Sequence, residues 1–252
     1  MTSRALLDYA RLLEVIAQET ELLAGSYLPE RAGEVVPACQ GLTLQKVVRH
    51  VAEQYRRACH WIERGLRPEL PLPPMHTDPV EDLREAAGEL LGVLALGEPE
   101  TAAASWWPQD RSYGFWARRM AHESTVHRVD VQSAAVLPQE EIAEDVAVDG
   151  IDEVLTLWYG HRLTQLGVVG SLPAAVGVRS GERHWLTQAG AQGTTARRVG
   201  SGDLDEAAAV VTGSPEAVYL WLWGRRPDQA VGSTGDYDAR AQLWALLRLA
   251  TR

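Results

Sequence analysis

The sequence is short of several things, and each shortage removes a class of protein. Its 252 residues hold two cysteines, Cys39 and Cys59, too few for a disulfide-stapled secreted scaffold or a four-cysteine zinc site. No run approaches the ~18–20 consecutive apolar residues of a membrane span. The opening Met1-Thr2-Ser3-Arg4 runs into a helical pattern without the apolar core of a signal peptide, so the cytoplasm is the expected compartment. Basic charge is scarce as well. Lys and Arg number 24 against 34 Asp and Glu, a net charge of −10, and no dense basic patch offsets it. That is the wrong sign for a phosphate backbone; neither nucleic acid nor membrane is an expected partner. Lys46 is the sole lysine. With abundant Ala, Gly and Leu, this reads as the coding bias of a GC-rich genome and bears on the source more than on the mechanism.

What remains is an ordinary globular composition, 46% hydrophobic and 23% charged. The length suffices for one large domain or two small ones with an unaided core. No internal repeat of fixed period occurs. The first half reads as four helices. Leu6, Tyr9, Leu13 and Ile16 recur at three and four residues, and Leu23 extends the stripe. After the Gly- and Pro-bearing connection Ala24–Gln40, Thr43 is placed to cap a second helix with its hydroxyl. That helix carries Val47, Val51, Ala58 and Ile62 and stops near Gly65. The proline-rich stretch Pro68–Pro79 must be a loop. Val80, Leu83, Ala87, Leu90 and Leu94 mark a third helix, Gly97–Gly114 a second loop, and Phe115–Ala135 a fourth helix. Four amphipathic helices with connections of unequal length predict a bundle.

Past Pro138 the texture changes. A fifth helix is expected over Asp145–Leu166, then a hairpin of Ala175–Arg179 and His184–Gln188 turned at Ser180-Gly181. Ala207–Thr212 reads as a buried strand. Ser214 or Pro215 opens a helix closed by Gly224, and Asp236–Leu249 forms a last one. The fold class expected is α+β: a helical bundle over residues 1–140 and a small α/β domain over 141–252, with the boundary in Leu137–Glu144.

The chemistry is concentrated in the fourth helix. Its row Trp116, Met120, Glu123, His127, Asp130, Ala134 is apolar at both ends and holds two carboxylates and an imidazole in the middle. Residues so spaced share one face. Turned into a bundle, those groups would cost several kcal/mol without compensation, and a divalent cation compensates them efficiently. Glu123 and His127 reach one ion from successive turns, and His50, interior to the second helix, is the best third ligand. Two nitrogens and one oxygen suit zinc, with nickel, iron and manganese left open. Three protein ligands leave a coordination position free, as in catalytic zinc sites. Asp130 is placed to orient an imidazole. Spacing alone also describes a surface ion pair, and His122, about 100° around the helix, is the rival ligand. Cys39 and Cys59 read as small buried side chains, neither beside an activating base in sequence. Trp221 and Trp223 read as core.

These residues resemble a known family. Val36-Pro37-Ala38-Cys39-Gln40-Gly41-Leu42-Thr43, Val47-Val48-Arg49-His50-Val51, and Ala121-His122-Glu123 with His127-Arg128-Val129-Asp130 are similar to the mycothiol-dependent maleylpyruvate isomerase family. The later run Val211-Thr212-Gly213-Ser214-Pro215 to Leu220-Trp221-Leu222-Trp223-Gly224-Arg225-Arg226 resembles that family's C-terminal domain. Nearly the whole chain is covered, in order. Leu42 stands where the family more often has tryptophan. The resemblance implies a DinB-like four-helix bundle with zinc on His50, Glu123 and His127. It also implies an arginine of the C-terminal domain near the substrate anion, here Arg225 or Arg226; both equally suit a helix C-terminus.

The partners it implies are the low-molecular-weight thiol mycothiol and a small-molecule substrate. A metal-held thiolate would add to a conjugated cis double bond, and expulsion after rotation would give the trans isomer. Thiol transfer would use the same apparatus, and a non-catalytic metal- or ligand-binding protein is the alternative class. A zinc hydrolase lacks support, since no His-Glu-x-x-His arrangement occurs. An actinobacterial source is expected; oligomeric state is not legible.

Overall fold

The structure, a computed structural model, describes residues 5–251. The Met1-Thr2-Ser3-Arg4 segment and residue 252 lie outside the described residues. The chain divides into two compact units, Met1–Glu140 and Glu141–Arg252. The fold is mixed α+β: a helical unit followed by one built on a five-stranded sheet. Among the described residues no helix is long and apolar enough to cross a membrane.

The first unit is a four-helix bundle of α1 (Tyr9–Ser26), α2 (Leu44–Arg64), α3 (Pro79–Leu94) and α4 (Tyr113–Ala135). Helix α1 packs on α3 and α4, and α2 packs on the same two, so the four apolar faces close on one core. Tyr55, Leu83, Leu90 and Leu94 are fully buried in it. The first helix departs from the expected stripe. It starts at Tyr9, after Leu6, and buries Leu12, Val15 and Ile16 while Leu13 is only half-buried. The reason is a polar residue on the core side. Glu19 is drawn inward by Arg128 of α4, whose Nε and Nη2 donate to its carboxylate at 2.7 and 3.2 Å.

Thr43 stands at the N-cap of α2, but its hydroxyl makes no cap bond. Carbonyls of the preceding connection do that work: Leu44 N–H donates to Glu34 O at 2.9 Å and Gln45 N–H to Ala32 O at 3.1 Å. Helices α3 and α4 are capped by side chains, Asp78 accepting from Val80 and Glu81 amides and Ser112 from that of Phe115. Helix α2 ends at Gly65, where φ is +71°. The proline-rich loop is pinned by Asp82, fully buried, whose carboxylate accepts from the amides of Met75 (2.7 Å) and His76 (3.3 Å) and from Arg56 (3.0 and 3.3 Å).

The second unit opens with α5 (Glu144–Glu153), which continues as a π-helical stretch Val154–Arg162 and a last turn α6 (Leu163–Gln165). Apolar spacing locates the rod but does not separate π from α winding. The sheet comprises β1 (Ala174–Ser180), β2 (Arg183–Gly190), β3 (Gly193–Val199), β4 (Ala209–Gly213) and β5 (Gly232–Gly235), in the order β3-β2-β1-β4-β5. Strands β1 and β2 form the expected hairpin, Val178 opposite Trp185, turning at Gly181 with φ +56°. Strand β4 runs parallel to β1. Strands β3 and β5 at the two edges were not expected; β5 is exposed throughout. Helices α7 (Pro215–Leu222) and α8 (Tyr237–Ala250) start at Ser214 and Asp236, whose side chains accept from first-turn amides. Asp152 of α5 is fully buried and ties helix to sheet, accepting from Trp185 Nε1 at 2.8 Å and from Arg198 Nε and Nη2 at 2.6 Å each.

Candidate metal centre

Packing of α2 against α4 brings His50, Glu123 and His127 to one point. His50 Nε2 lies 3.0 Å from Glu123 Oε1, and His127 Nε2 lies 3.4 Å from the same oxygen. The three ligand atoms are all within 4.8 Å of one another. The imidazoles meet edge to face, centroids 5.1 Å apart at 82°. The side chains are 32%, 15% and 12% exposed respectively, so the trio lies at an opening in the bundle wall and not in its sealed core. His122, the rival ligand, is fully buried and does not belong to the group.

A ring of polar groups orients the trio. Arg119, itself buried, donates from Nη2 to Glu123 Oε2 at 3.1 Å, leaving Oε1 to the histidines. Asp130, buried one turn beyond His127, holds its Nδ1 at 3.0 Å. With Nδ1 held by Asp130, Nε2 is the nitrogen turned to Glu123, donating to it when protonated and free to ligate a metal when not. Burial alone would push the Glu123 carboxyl up. Bonds from His127 and His50, with the charges of His127 and Arg119, outweigh it and hold the group well below the usual carboxylate range. For His127 burial disfavours the charge, but bonds to Asp130, Cys39 and Glu123 raise its affinity for a proton well above the ordinary value. The cluster thus favours positive charge at its middle.

Cys39 is buried, as expected, but it is also a polar partner of the site. It has an activating neighbourhood in space: its Sγ donates to Asp130 Oδ2 at 3.1 Å and lies 3.7 Å from His127 Nδ1. Cys39, His127 and Asp130 form a second, overlapping group within the same 4.8 Å limit. The contact spans 91 residues of chain, and no local spacing announces it. Cys59 is the small buried residue expected. Burial, then Glu63 and Glu89, push its thiol up to about 12.

Arg225 and Arg226 lie in the second unit, just past α7. Arg225 Nη1 donates to Trp223 O at 2.6 Å, its guanidinium 5.9 Å from the Trp223 ring centre. Arg226 pairs with Glu216 at 3.7 Å. Arg225 thus makes the contact expected of a cation at a helix C-terminus, whereas Glu216, the partner of Arg226, lies in the first turn of α7.

Comparison with known proteins agrees with this architecture. Residues 13–132 match the family model for the mycothiol maleylpyruvate isomerase N-terminal domain, and residues 145–242 match that of the MDMPI C-terminal domain. No curated protein matches the chain in sequence. Among solved structures, the mycothiol-dependent maleylpyruvate isomerase aligns over 92% of this chain and 96% of its own, with TM-score 0.61 and 16% identity. A histidine-to-alanine mutant of a mycothiol-dependent maleylpyruvate isomerase gives TM-score 0.61 and 14% identity over the same shares. At such identity the structural likeness speaks for the fold, while the two domain matches, in order and together spanning most of the chain, establish kinship: the chain belongs to the mycothiol-dependent maleylpyruvate isomerase family.

Proposed function

We propose that the protein is a thiol-dependent metalloenzyme that isomerises an activated cis double bond in a small molecule. The observation that carries the reading is the convergence of His50, Glu123 and His127 from two helices at an opening in the bundle wall. The donor set fits a borderline dication, zinc foremost: two imidazole nitrogens and one oxygen of the half-buried Glu123 carboxylate. When bound there, the metal would supply an open position at which a low-molecular-weight thiol, mycothiol by family kinship, is held as the thiolate that adds reversibly to the double bond.

The chain's own residues set the stage. Asp130 fixes the tautomer and orientation of His127. Arg119 occupies the outer carboxylate oxygen of Glu123 and so aims the inner one. Gln54, 3.5 Å from His50 Nε2 and itself bonded by Arg57 at 3.3 Å, extends the polar rim along α2. Cys39 supports Asp130 and is too well buried for a nucleophile. Thiol transfer to an electrophilic carbon would need the same residues, so product analysis decides between the two outcomes. Cobalt-loaded full-length protein should develop a thiolate-to-metal absorption band on titration with mycothiol, and the loaded enzyme should convert maleylpyruvate to its trans isomer with the thiol regenerated. A metal-loaded protein that develops no such band defeats the reading; net consumption of the thiol replaces isomerisation with transfer.

A further inference from the structure

A cavity of about 300 Å³ borders His50 and lies between α2 and the proline-rich loop, with Leu72 and Pro74 on the loop side. Its charged groups can be accounted for one by one. Asp82 is consumed by Arg56, by Arg49 Nη1 at 3.4 Å and by two loop amides. Arg49 also donates to the loop carbonyls of His76 and Thr77. Glu53 accepts the Leu72 amide at 3.1 Å. These groups hold the walls in place and have little left for a ligand. Lys46 is different. It lies one helical turn before His50 on the same face of α2, stands exposed at the rim of the cavity, and has no ion-pair partner among the described residues. Three cations, Lys46, Arg49 and Arg56, face two carboxylates in the lining, an excess of one positive charge inside a chain whose net charge is −10. Leu42 and Leu72 add apolar surface for a short carbon chain.

We propose that this cavity seats the carboxylate of the small molecule on which the metal centre acts, with Lys46 as its anchoring cation. The inference rests on the proposed function for the identity of the neighbouring reactive centre. Its own content is a pre-built pocket, one turn of helix from a metal ligand, whose sole uncommitted charge is an ammonium. Lys46 is accordingly a positioning residue that sets which electrophiles are accepted. The chemistry at the metal does not require it.

The sequence supplies a direct test, because Lys46 is the sole lysine. An amine-selective acylating reagent then reports on one side chain, with the N-terminal amine as internal standard. In full-length, metal-loaded protein without thiol, saturating maleylpyruvate or maleate should slow acylation of Lys46 at least about fivefold, as expected of an ammonium held in an ion pair, and leave the N-terminal amine unaffected. Maleamide, the uncharged counterpart, should not protect. In turnover, Lys46→Gln should raise KM about tenfold with kcat within about threefold, Lys46→Arg should recover most of the loss, and metal content should be unchanged in both. The assignment is overturned if neither carboxylate protects, if maleamide protects equally well, or if mycothiol protects in their place. The mycothiol band of the cobalt protein keeps the two claims separate. Unprotected Lys46 with an intact band defeats only the pocket assignment, and a missing band defeats the functional reading whatever Lys46 does.

Discussion

Asp152 in the second unit and Glu123 in the first are both acids held inside the protein, and their surroundings differ in kind. Asp152 is sealed, with both oxygens taken by Arg198 and one shared with the Trp185 indole. Glu123 has one oxygen taken by Arg119, while the other faces two imidazoles at an opening. A carboxylate closed off by its own fold is a structural tie between a helix and a sheet. One whose inner oxygen is met by two imidazoles at an opening has partners that are themselves metal-ligating nitrogens, and a cation can take the place of their protons. Burial alone would have ranked Asp152 the more suspicious of the two, and what separates them is how the lone pairs are used.

The comparison can be broken first by deleting each acid. Asp152→Ala leaves the Arg198 charge and the buried Trp185 N–H without their partner, and should cost roughly 3–5 kcal/mol in a denaturant melt. Glu123→Gln keeps an amide within reach of Arg119 and the two histidines, so it should cost metal-free protein less than Asp152→Ala costs, yet abolish tight metal uptake. Equal stability losses would erase the distinction. Next in size, Asp130→Asn keeps all three ligands but loosens His127, and should weaken zinc binding about 10–100-fold in a chelator competition. Helix caps offer a smaller contrast. Asp78→Ala removes a working cap and should destabilise by about 1 kcal/mol, whereas Thr43→Ala, whose hydroxyl makes no cap bond, should stay within a few tenths.

The pH response of Cys59 is the smallest effect. Its folded thiol is raised to about 12 against 9.0 for the unperturbed group. The unfolded chain therefore releases its proton first, and stability is fully present below pH 9 and declines as pH rises from 9 towards 12. Cys59→Ala should flatten that limb relative to the parent protein.

Much of this was legible in sequence wherever the signal is local. The Glu123/His127 pair lies on one helix face at four-residue spacing, and His50 stands in the apolar stripe of the second helix, so pattern and chemistry single out the same three residues. Helix α3, with Val80 to Leu94 at strict spacing and Asp78 before it, and the Gly181 hairpin were equally plain. Other features are set by distant partners. Glu19 belongs to the core because Arg128, more than a hundred residues on, neutralises it. Thr43 is idle because backbone carbonyls reached the same amides first. Cys39 meets Asp130 across the bundle. Strand β3, Gly-Thr-Thr-Ala-Arg-Arg-Val, and strand β5, Gly-Ser-Thr-Gly, lie at sheet edges where little is buried, so no apolar alternation marks them.

The most direct test is the X-ray absorption spectrum of zinc-loaded full-length protein. The account predicts one bound zinc per chain with a shell of nitrogen and oxygen that includes two imidazoles, falling to one imidazole in His50→Ala. A sulfur neighbour near 2.3 Å in the absence of added thiol would instead place the metal on Cys39, His127 and Asp130, and would contradict the centre described.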